Sequence, residues 1–594
     1  MFAYKTDNEK LNSAKSITLA ILASLFGGFT VGMCSLFFAS GEYAFPVWGA
    51  YLRNPYLFLL NLLPPIIISA IFFFIFNRAV WSFAFTNATV MVPTLINYFK
   101  MFIRGDCFVF EDIGLASEAG QMVSNYKLPS EATVRIAIYA AVLIIGCTLL
   151  AIFIKGRLPS NWHWRYAIGG GVLALSMLLI PVYSSDDLYL DERTANVALD
   201  NAWTDTEIFK SKGFVYPFLH SVKDVFKAPP EDYDTKKVES LLSRYEDTPL
   251  PSDKKVNFFC LMLEAYNDFS RFEELEFTED IYAKYRELEA LGYSGTLMTD
   301  IFSGDTKTSE REFLTGLPFP YLDNFKSKSN SYVWYLRQNG YTTEGAHPVT
   351  MEFYDRINVN ANLGFENYYF EENYFKAGAP YYITWDAKFI PELKKIYDAR
   401  DKSKPYFNFS VSYQGHGPYS ATDSHFETPY VKSDHVSEAD KNILNNYLHA
   451  QKQTTELLYT FVTEMLATED PLVIVLFGDH KPWMGDFGHV YGSYGISIDT
   501  STPEGFANYY STRYLIIAND AAKELCQNDF SGEGETLSPH FLMNKVFELC
   551  GYSGNAYMQF SRDIMKETPV VHRAMTLPTD YDNVSYYYRR NFAY

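Results

Sequence analysis

Five apolar runs crowd the first 185 residues of this chain: roughly Ile17–Phe38, Phe58–Phe76, Val80–Tyr98, Thr133–Ile154 and Tyr166–Val182. Each is close to the ~20 residues a helix needs to cross the hydrocarbon core of a bilayer. Within that core every backbone N–H and C=O has to be satisfied inside the segment, so the runs read as membrane-spanning helices. The first is too long for a secretory signal and lacks its small-residue cleavage pattern. Pro64-Pro65 predicts a kink in the second. Basic residues near the ends set the orientation. Lys5, Lys10, Lys15, Arg78, Lys155, Arg157 and Arg165 fall on one side, and Arg53, Lys100, Arg104, Lys127 and Arg135 on the other over a longer span. The bias places the N-terminus in the cytoplasm. Five crossings then put everything after Val182 outside, with Asn97–Asp112 as an outer loop at the lipid surface.

Charge divides at the same place. There are 12 Lys and Arg against 8 Asp and Glu through Ser185, and 38 against 62 beyond it. The acidic outer part excludes a nucleic-acid-binding surface, which needs a basic footprint. Six cysteines without CxxC or CxxH spacing give no zinc-finger pattern, and pairing of Cys526 with Cys550 stays open. Residues 186–255 form a polar linker broken by Pro229-Pro230 and by Pro249 and Pro251. Within it, Gly213–Val222 (GFVYPFLHSV) is aromatic and amphipathic. It suits either the membrane interface or packing against the outer domain. The outer domain is expected over 256–560, with a C-terminal tail over 561–594.

From Val256 onward, short apolar runs alternate with helical stretches, the pattern of an α/β sheet with crossover helices. Four runs end in residues able to do chemistry. Val256–Leu263 ends at Glu264, Val473–Phe477 runs into Gly478-Asp479-His480, Tyr406–Val411 precedes His416, and Tyr341–Ala346 ends at His347. Buried parallel strands read as continuous apolar runs, and ligands bind beyond their carboxyl ends. One rim of an open parallel sheet is therefore expected to collect Glu264, Asp479, His480, His416 and His347. Carboxylate oxygens, an imidazole nitrogen and a hydroxyl form a set that suits Mn²⁺, Mg²⁺ or Zn²⁺.

The hydroxyl comes from Phe302–Gly316, FSGDTKTSEREFLTG. Ser309 and Glu312 have capping-box spacing before an apolar helix face. A hydroxyl just ahead of a helix N-terminus sits where backbone N–H groups favour an anion. A bound divalent ion would activate such a hydroxyl toward a phosphoryl group. A serine hydrolase fits less well, because no GxSxG elbow is present, and no Walker or GxGxxG motif follows a strand.

These motifs, in this order, resemble the lipoteichoic acid synthase family of membrane phosphoglycerol transferases, within the alkaline-phosphatase/sulfatase-like superfamily. The resemblance rests on the five crossings, NYFKMFIRGD, the linker, LMLEAYNDFS, Phe302–Gly316, AHPVTMEFYDRINVNANLGF, SVSYQGHGPYS and VIVLFGDHKP. It implies an α-helical five-span membrane domain followed by an extracellular α/β sulfatase/alkaline-phosphatase-like domain, in a bacterial cell membrane. It also implies a metal, usually manganese, held by Glu264, Thr306, Asp479 and His480. His347, Arg356 and Tyr354 would bind the headgroup, and His416 would act in catalysis. Arg356 is suited to clamp a phosphate. The implied reaction moves glycerol phosphate from phosphatidylglycerol to a surface glycopolymer, lipoteichoic acid-type or wall polysaccharide, through a metal-activated threonine. A phosphoethanolamine transferase and a non-catalytic lipid-binding sensor are the alternatives.

Two departures stand out. Aligned through Leu314-Thr315-Gly316, the family pattern FGGGTANTEFEVLTG places the nucleophile at Thr306 and puts Ser303 and Asp305 where glycines are usual. A second pattern, KTSxxEF, selects Thr308 instead. Lys481 follows the Asp-His pair where an apolar residue is usual.

Overall fold

The structure is a computed structural model describing residues 14–40, 44–104, 107–115, 130–159, 163–196, 205–225, 229–322, 325–377, 383–432, 435–485 and 488–594. Lys5, Lys10 and Lys127, used above to orient the spans, lie outside these residues. The chain divides into two compact units, Met1–Ala228 with Glu352–Asp355, and Pro229–Met351 with Arg356–Tyr594.

Among its described residues the first unit contains five helices long and apolar enough to cross a membrane: Ala14–Ala39, Pro55–Phe76, Ala79–Met101, Val134–Phe153 and Trp164–Ser184. Small residues let them approach closely. A Cβ on Gly28 would lie 2.6 Å from the Pro65 carbonyl oxygen, so only glycine fits that crossing. Pro64 and Pro65 sit within one continuous helix, Pro55–Phe76. Proline at 64 removes the N–H that would bond the Leu60 carbonyl, and Tyr183 Oη donates to that oxygen at 2.9 Å instead. The third helix runs on to Arg104, so the first half of the expected outer loop is helical. Beyond it Lys100 pairs with Asp112 at 2.9 Å. The GFVYPFLHSV segment forms the helix Val215–His220, and Tyr216 packs with Leu60 and Tyr183 inside this unit.

The second unit is built on an eight-stranded sheet: β1 (Asn257–Leu263), β2 (Tyr293–Met298), β3 (Thr342–Ala346), β4 (Asn367–Tyr369), β5 (Tyr406–Val411), β6 (Leu472–Gly478), β7 (Ser511–Ala518) and β8 (Gly532–Glu533). The order is β4-β3-β5-β1-β6-β7-β2-β8. Five strands, β4 to β6 in that order, are parallel. The sheet as a whole is mixed, because β7 runs antiparallel to both β6 and β2. The expected parallel rim is present, since the strands before Glu264, His347, His416 and Asp479 are all parallel, while the apolar pattern does not fix the direction of β7. A strand covered on both faces is apolar throughout, whichever way it runs.

Alternation along β1 sends Phe258, Cys260 and Met262 into one core layer and Phe259, Leu261 and Leu263 into the other. Helices Lys307–Thr315, Pro539–Leu549 and Thr579–Arg590 cover the first layer with Phe313, Phe541 and Val584. Helices Asp386–Asp398 and Glu438–Leu466 cover the second with Phe389 and Leu458. Residues 561–594, read above as a tail, thus contribute Tyr581, Val584 and Tyr588 to the core.

Candidate functional site

Register brings the first two acids together. Leu263 of β1 pairs with Gly478 of β6, so Glu264 and Asp479 leave neighbouring strands at the same level. Ala265 takes a left-handed φ of 49° just beyond the strand, and its N–H donates to Asp479 Oδ1 at 2.7 Å. The His480 N–H donates to the same oxygen at 2.8 Å. Ser412, past β5, accepts from the Glu264 N–H at 3.0 Å. Ser309 Oγ donates to the Asp479 carbonyl at 2.7 Å, which fixes the first turn of helix Lys307–Thr315 against the rim.

That turn carries Thr306 at its N-cap position, with no side-chain cap bond. The expected capping box is not formed. Ser309 lies inside the helix and faces Asp479, while Glu312 faces His540 at 3.1 Å. The preceding loop is bent through left-handed backbone at Ser303 (57°), Gly304 (143°) and Asp305 (61°). This is the conformation that favours glycine, which accounts for glycines at those places in the family pattern. Asparagine and aspartate tolerate it better than most residues. Asp305 also accepts from Thr308 Oγ1 at 2.6 Å.

Thr306 Oγ1 lies 3.2 Å from Glu264 Oε2 and 3.4 Å from His480 Nε2. His480 Nε2 is 3.5 Å from Glu264 Oε1 and 3.3 Å from Asp479 Oδ2. One ligand atom from each of Glu264, Asp479 and His480 falls within 4.8 Å of the others, and all three residues are buried. His480 Nδ1 sits 2.8 Å from the Lys481 carbonyl oxygen. A carbonyl only accepts, so Nδ1 carries the hydrogen and Nε2 presents a bare lone pair to the cluster. Asp479 Oδ2 is buried and has no hydrogen-bond donor among the described residues. Two carboxyl groups and an imidazole lone pair thus converge, and among the described residues Thr306 is the side chain that donates to them, to Glu264 Oε2. Burial and the Asp479 charge push Glu264 up to about 8, against a pull from His480. A divalent cation relieves this convergence, and the O/N donor set fits one.

The other predicted residues take separate positions. His347 is buried, with Nδ1 3.2 Å from the Val411 carbonyl. Burial, then the Arg356 charge, holds it well below the usual imidazole range. His416 is lowered by burial as well, opposed by its bond to Gly417 and by the Asp479 charge. Tyr413 stacks on it at 4.6 Å. Arg356 is 2% exposed. Its Nε donates to Glu310 Oε2 at 2.9 Å, with Nη2 at 2.8 Å from the same oxygen. Tyr354 lies in a short turn with φ 59° and groups with the first unit.

Lys481 is buried, with Nζ 5.1 Å from the Phe272 ring. Burial lowers its amine to about 7. Cys526 and Cys550 are both free thiols. The sequence reading missed Ser412 and Ser309 as supports and Glu310 as the partner of Arg356. It also missed a buried line of His540, Glu312, Asp300 and His572 behind the helix. The spacing Thr306-Glu310, one helical turn, was the one available signal.

Residues 257–551 match the family model described as Sulfatase, so this part of the chain is a sulfatase-like domain. A curated protein of Rhizobium meliloti (strain 1021), named for cyclic beta-1,2-glucan modification, is 26% identical over 392 residues. That alignment spans 63% of this chain and 58% of the relative, so less than two thirds of the relative is represented here. Among solved structures, phosphoglycerol transferase GacH of Streptococcus pyogenes, in complex with sn-glycerol-1-phosphate, is similar at 17% identity and a TM-score of 0.49, covering 60% of this chain and 94% of that one. The lipoteichoic acid synthase LtaP of Listeria monocytogenes is similar at 17% identity and a TM-score of 0.39, covering 53% of this chain and 78% of that one.

Proposed function

We propose that this protein is a membrane-anchored, metal-dependent phosphoglycerol transferase, with its catalytic domain outside the cell membrane. It moves glycerol phosphate from phosphatidylglycerol to a surface glycan. The observation that carries the reading is the Thr306 hydroxyl, 3.2 Å from Glu264 and 3.4 Å from His480, at a buried acid–imidazole cluster. Glu264, Asp479, His480 and Thr306 would hold Mn²⁺, or Mg²⁺ or Zn²⁺ in its place. When bound, such an ion lowers the pKa of the hydroxyl and polarises a phosphoryl oxygen.

The chain's own groups do the rest. His416 Nε2, left with a lone pair by the Nδ1 bond to the Gly417 carbonyl, takes the Thr306 proton as Oγ attacks phosphorus. The bond to the diacylglycerol oxygen breaks and that oxygen receives the proton from Nε2, leaving phosphoglycerol on Thr306. An acceptor hydroxyl then attacks the same phosphorus and gives its proton to His416 Nε2, and the bond to Oγ breaks with return of that proton to Oγ. Arg356 and His347 hold the non-bridging oxygens, where charge spreads in the transition state. Glu310 keeps the Arg356 guanidinium in place for this work. Thr308 is the poorer nucleophile, because its hydroxyl is bonded to Asp305. The acceptor class draws on the Rhizobium relative named for glucan modification.

Diacylglycerol release from labelled phosphatidylglycerol tests the reading. Thr306→Ala is expected to abolish release and Thr308→Ala to retain it. The reverse result moves the nucleophile. An adduct mass on Thr306 equal to phosphoethanolamine changes the donor. No release by the wild-type protein with any of the three metals leaves a lipid-binding sensor.

A further inference from the structure

A row of aromatic rings leads outward from His416. Tyr413 stacks on the imidazole, centroids 4.6 Å apart and planes at 10°. Trp385 follows, 6.1 Å from Tyr413. Trp385 is 48% exposed, unusual for an indole next to a buried catalytic rim. A polar ladder runs beside it. The N–H of Asp386, the residue after Trp385, donates to Gln414 Oε1 at 3.2 Å. Gln414 Nε2 donates to Gln453 Oε1 at 2.8 Å. Gln453 Nε2 contacts His449 Nε2 at 3.0 Å, and His449 Nδ1 contacts Tyr430 Oη at 2.9 Å. Each carboxamide nitrogen spends one N–H in the ladder and keeps a second.

From this arrangement we infer that Trp385, with Tyr413 and the Gln414–Gln453 ladder, is the platform that receives a glycan acceptor. This rests on the transferase reading above and adds to it the place where the acceptor binds. The C–H face of a pyranose is apolar and weakly positive, and it lies against the negative face of an aromatic ring. Its hydroxyls project sideways, where in-plane amide donors meet them. A glycan seated on Trp385 continues along the ring row past Tyr413, so that a following sugar unit presents a hydroxyl to His416 Nε2, which takes that proton as the oxygen attacks the phosphorus on Thr306. The P–O bond to the sugar forms, and the bond to Oγ breaks. An exposed indole also suits a membrane interface. The carboxamides beside this one favour hydroxyls over acyl chains, and Lys452, the cation beside Gln453, is already paired with Glu279 at 2.6 Å rather than open to anionic lipid headgroups.

The test uses the full-length protein with labelled phosphatidylglycerol and a β-linked gluco-oligosaccharide as acceptor probe. Trp385→Ala is expected to raise the KM for the oligosaccharide tenfold or more. Diacylglycerol release without acceptor should stay within twofold of wild type, and Trp385→Phe within threefold on both. Saturation-transfer NMR of the oligosaccharide should show contact with wild type and lose it in Trp385→Ala. An unchanged KM overturns the assignment, as does a parallel fall in donor cleavage. Reduced binding to phosphatidylglycerol vesicles at unchanged KM assigns Trp385 to the membrane instead. If wild type releases no diacylglycerol, the transferase reading fails, and the NMR contact alone decides the platform.

Discussion

The Glu310–Arg356 pair separates structural from catalytic roles. Both side chains are almost wholly buried, at 2% and 4% exposure, with Nη2 2.8 Å from the carboxylate. Taking one partner from a buried pair costs about 3–5 kcal/mol, mostly because the other charge is left uncompensated. Arginine stays charged at every working pH, so Glu310→Leu strands a guanidinium in the core. Replacing both groups with apolar ones returns stability to within about 1 kcal/mol of wild type. At about 2.1 cal/mol/K of unfolding entropy per residue, each kcal/mol in a unit of this size moves the midpoint by about 1.3 °C, so Glu310→Leu lowers it by about 4–7 °C. Alkylation of Cys260 and Cys550, both buried here, followed by mass spectrometry against temperature, reports this unit within the full-length protein. The double variant is expected to regain the midpoint but cleave no donor, because Arg356 is gone. A double variant no more stable than Glu310→Leu refutes the charge argument. A stable double variant with full activity refutes the phosphate role of Arg356.

Two other perturbations have worked signs. Burial pushes Glu312 up to about 8. Between an unfolded pKa of about 4.5 and that value the folded state holds an extra proton, so stability falls as pH rises, by up to about 1.4 kcal/mol per unit. Glu312→Gln removes its share of that slope between pH 6 and 8 in the same alkylation assay, leaving the contributions of Glu264, raised to about 8, and Asp300, raised to about 7. Equal slopes in variant and wild type contradict it. Chelation should lower the unfolding midpoint and Mn²⁺ restore it, by about 2.7 kcal/mol at a hundred times Kd. Asp479→Asn should blunt that response, and a full response in this variant places the ion elsewhere.

How legible the site was in the sequence depends on chain distance and on which atoms do the work. Glu264 and Asp479-His480 were readable because each follows a buried apolar run, and such runs end at a sheet edge, whereas His347 follows the buried but largely polar strand Thr342–Ala346. The register that levels Glu264 with Asp479 was not, since β1 and β6 lie over two hundred residues apart. Nor was the reversal of β7, whose pattern STRYLIIA is apolar on both faces. The Ser309–Glu312 spacing misled because both side chains are claimed from outside the helix, by the Asp479 carbonyl and by His540. Glu310 and Arg356 are 46 residues apart, and neither signals the other.

Lys481 shows the same limit from the opposite side. By identity it is one of the two departures from the family pattern. Its amine instead lies over the Phe272 ring, and only its carbonyl serves the cluster, accepting from His480 Nδ1 and from the Ser303 N–H. Any residue supplies a carbonyl. The lone pair on His480 Nε2 is therefore set by backbone geometry at position 481, and side-chain chemistry there bears on the neighbouring Asp268–Phe272 surface. Asp305 is the reverse case. Its side chain bonds Thr308 and its backbone takes the bend before Thr306. Residue type at 305 thus acts directly on which hydroxyl is free to react, although the position carries no ligand.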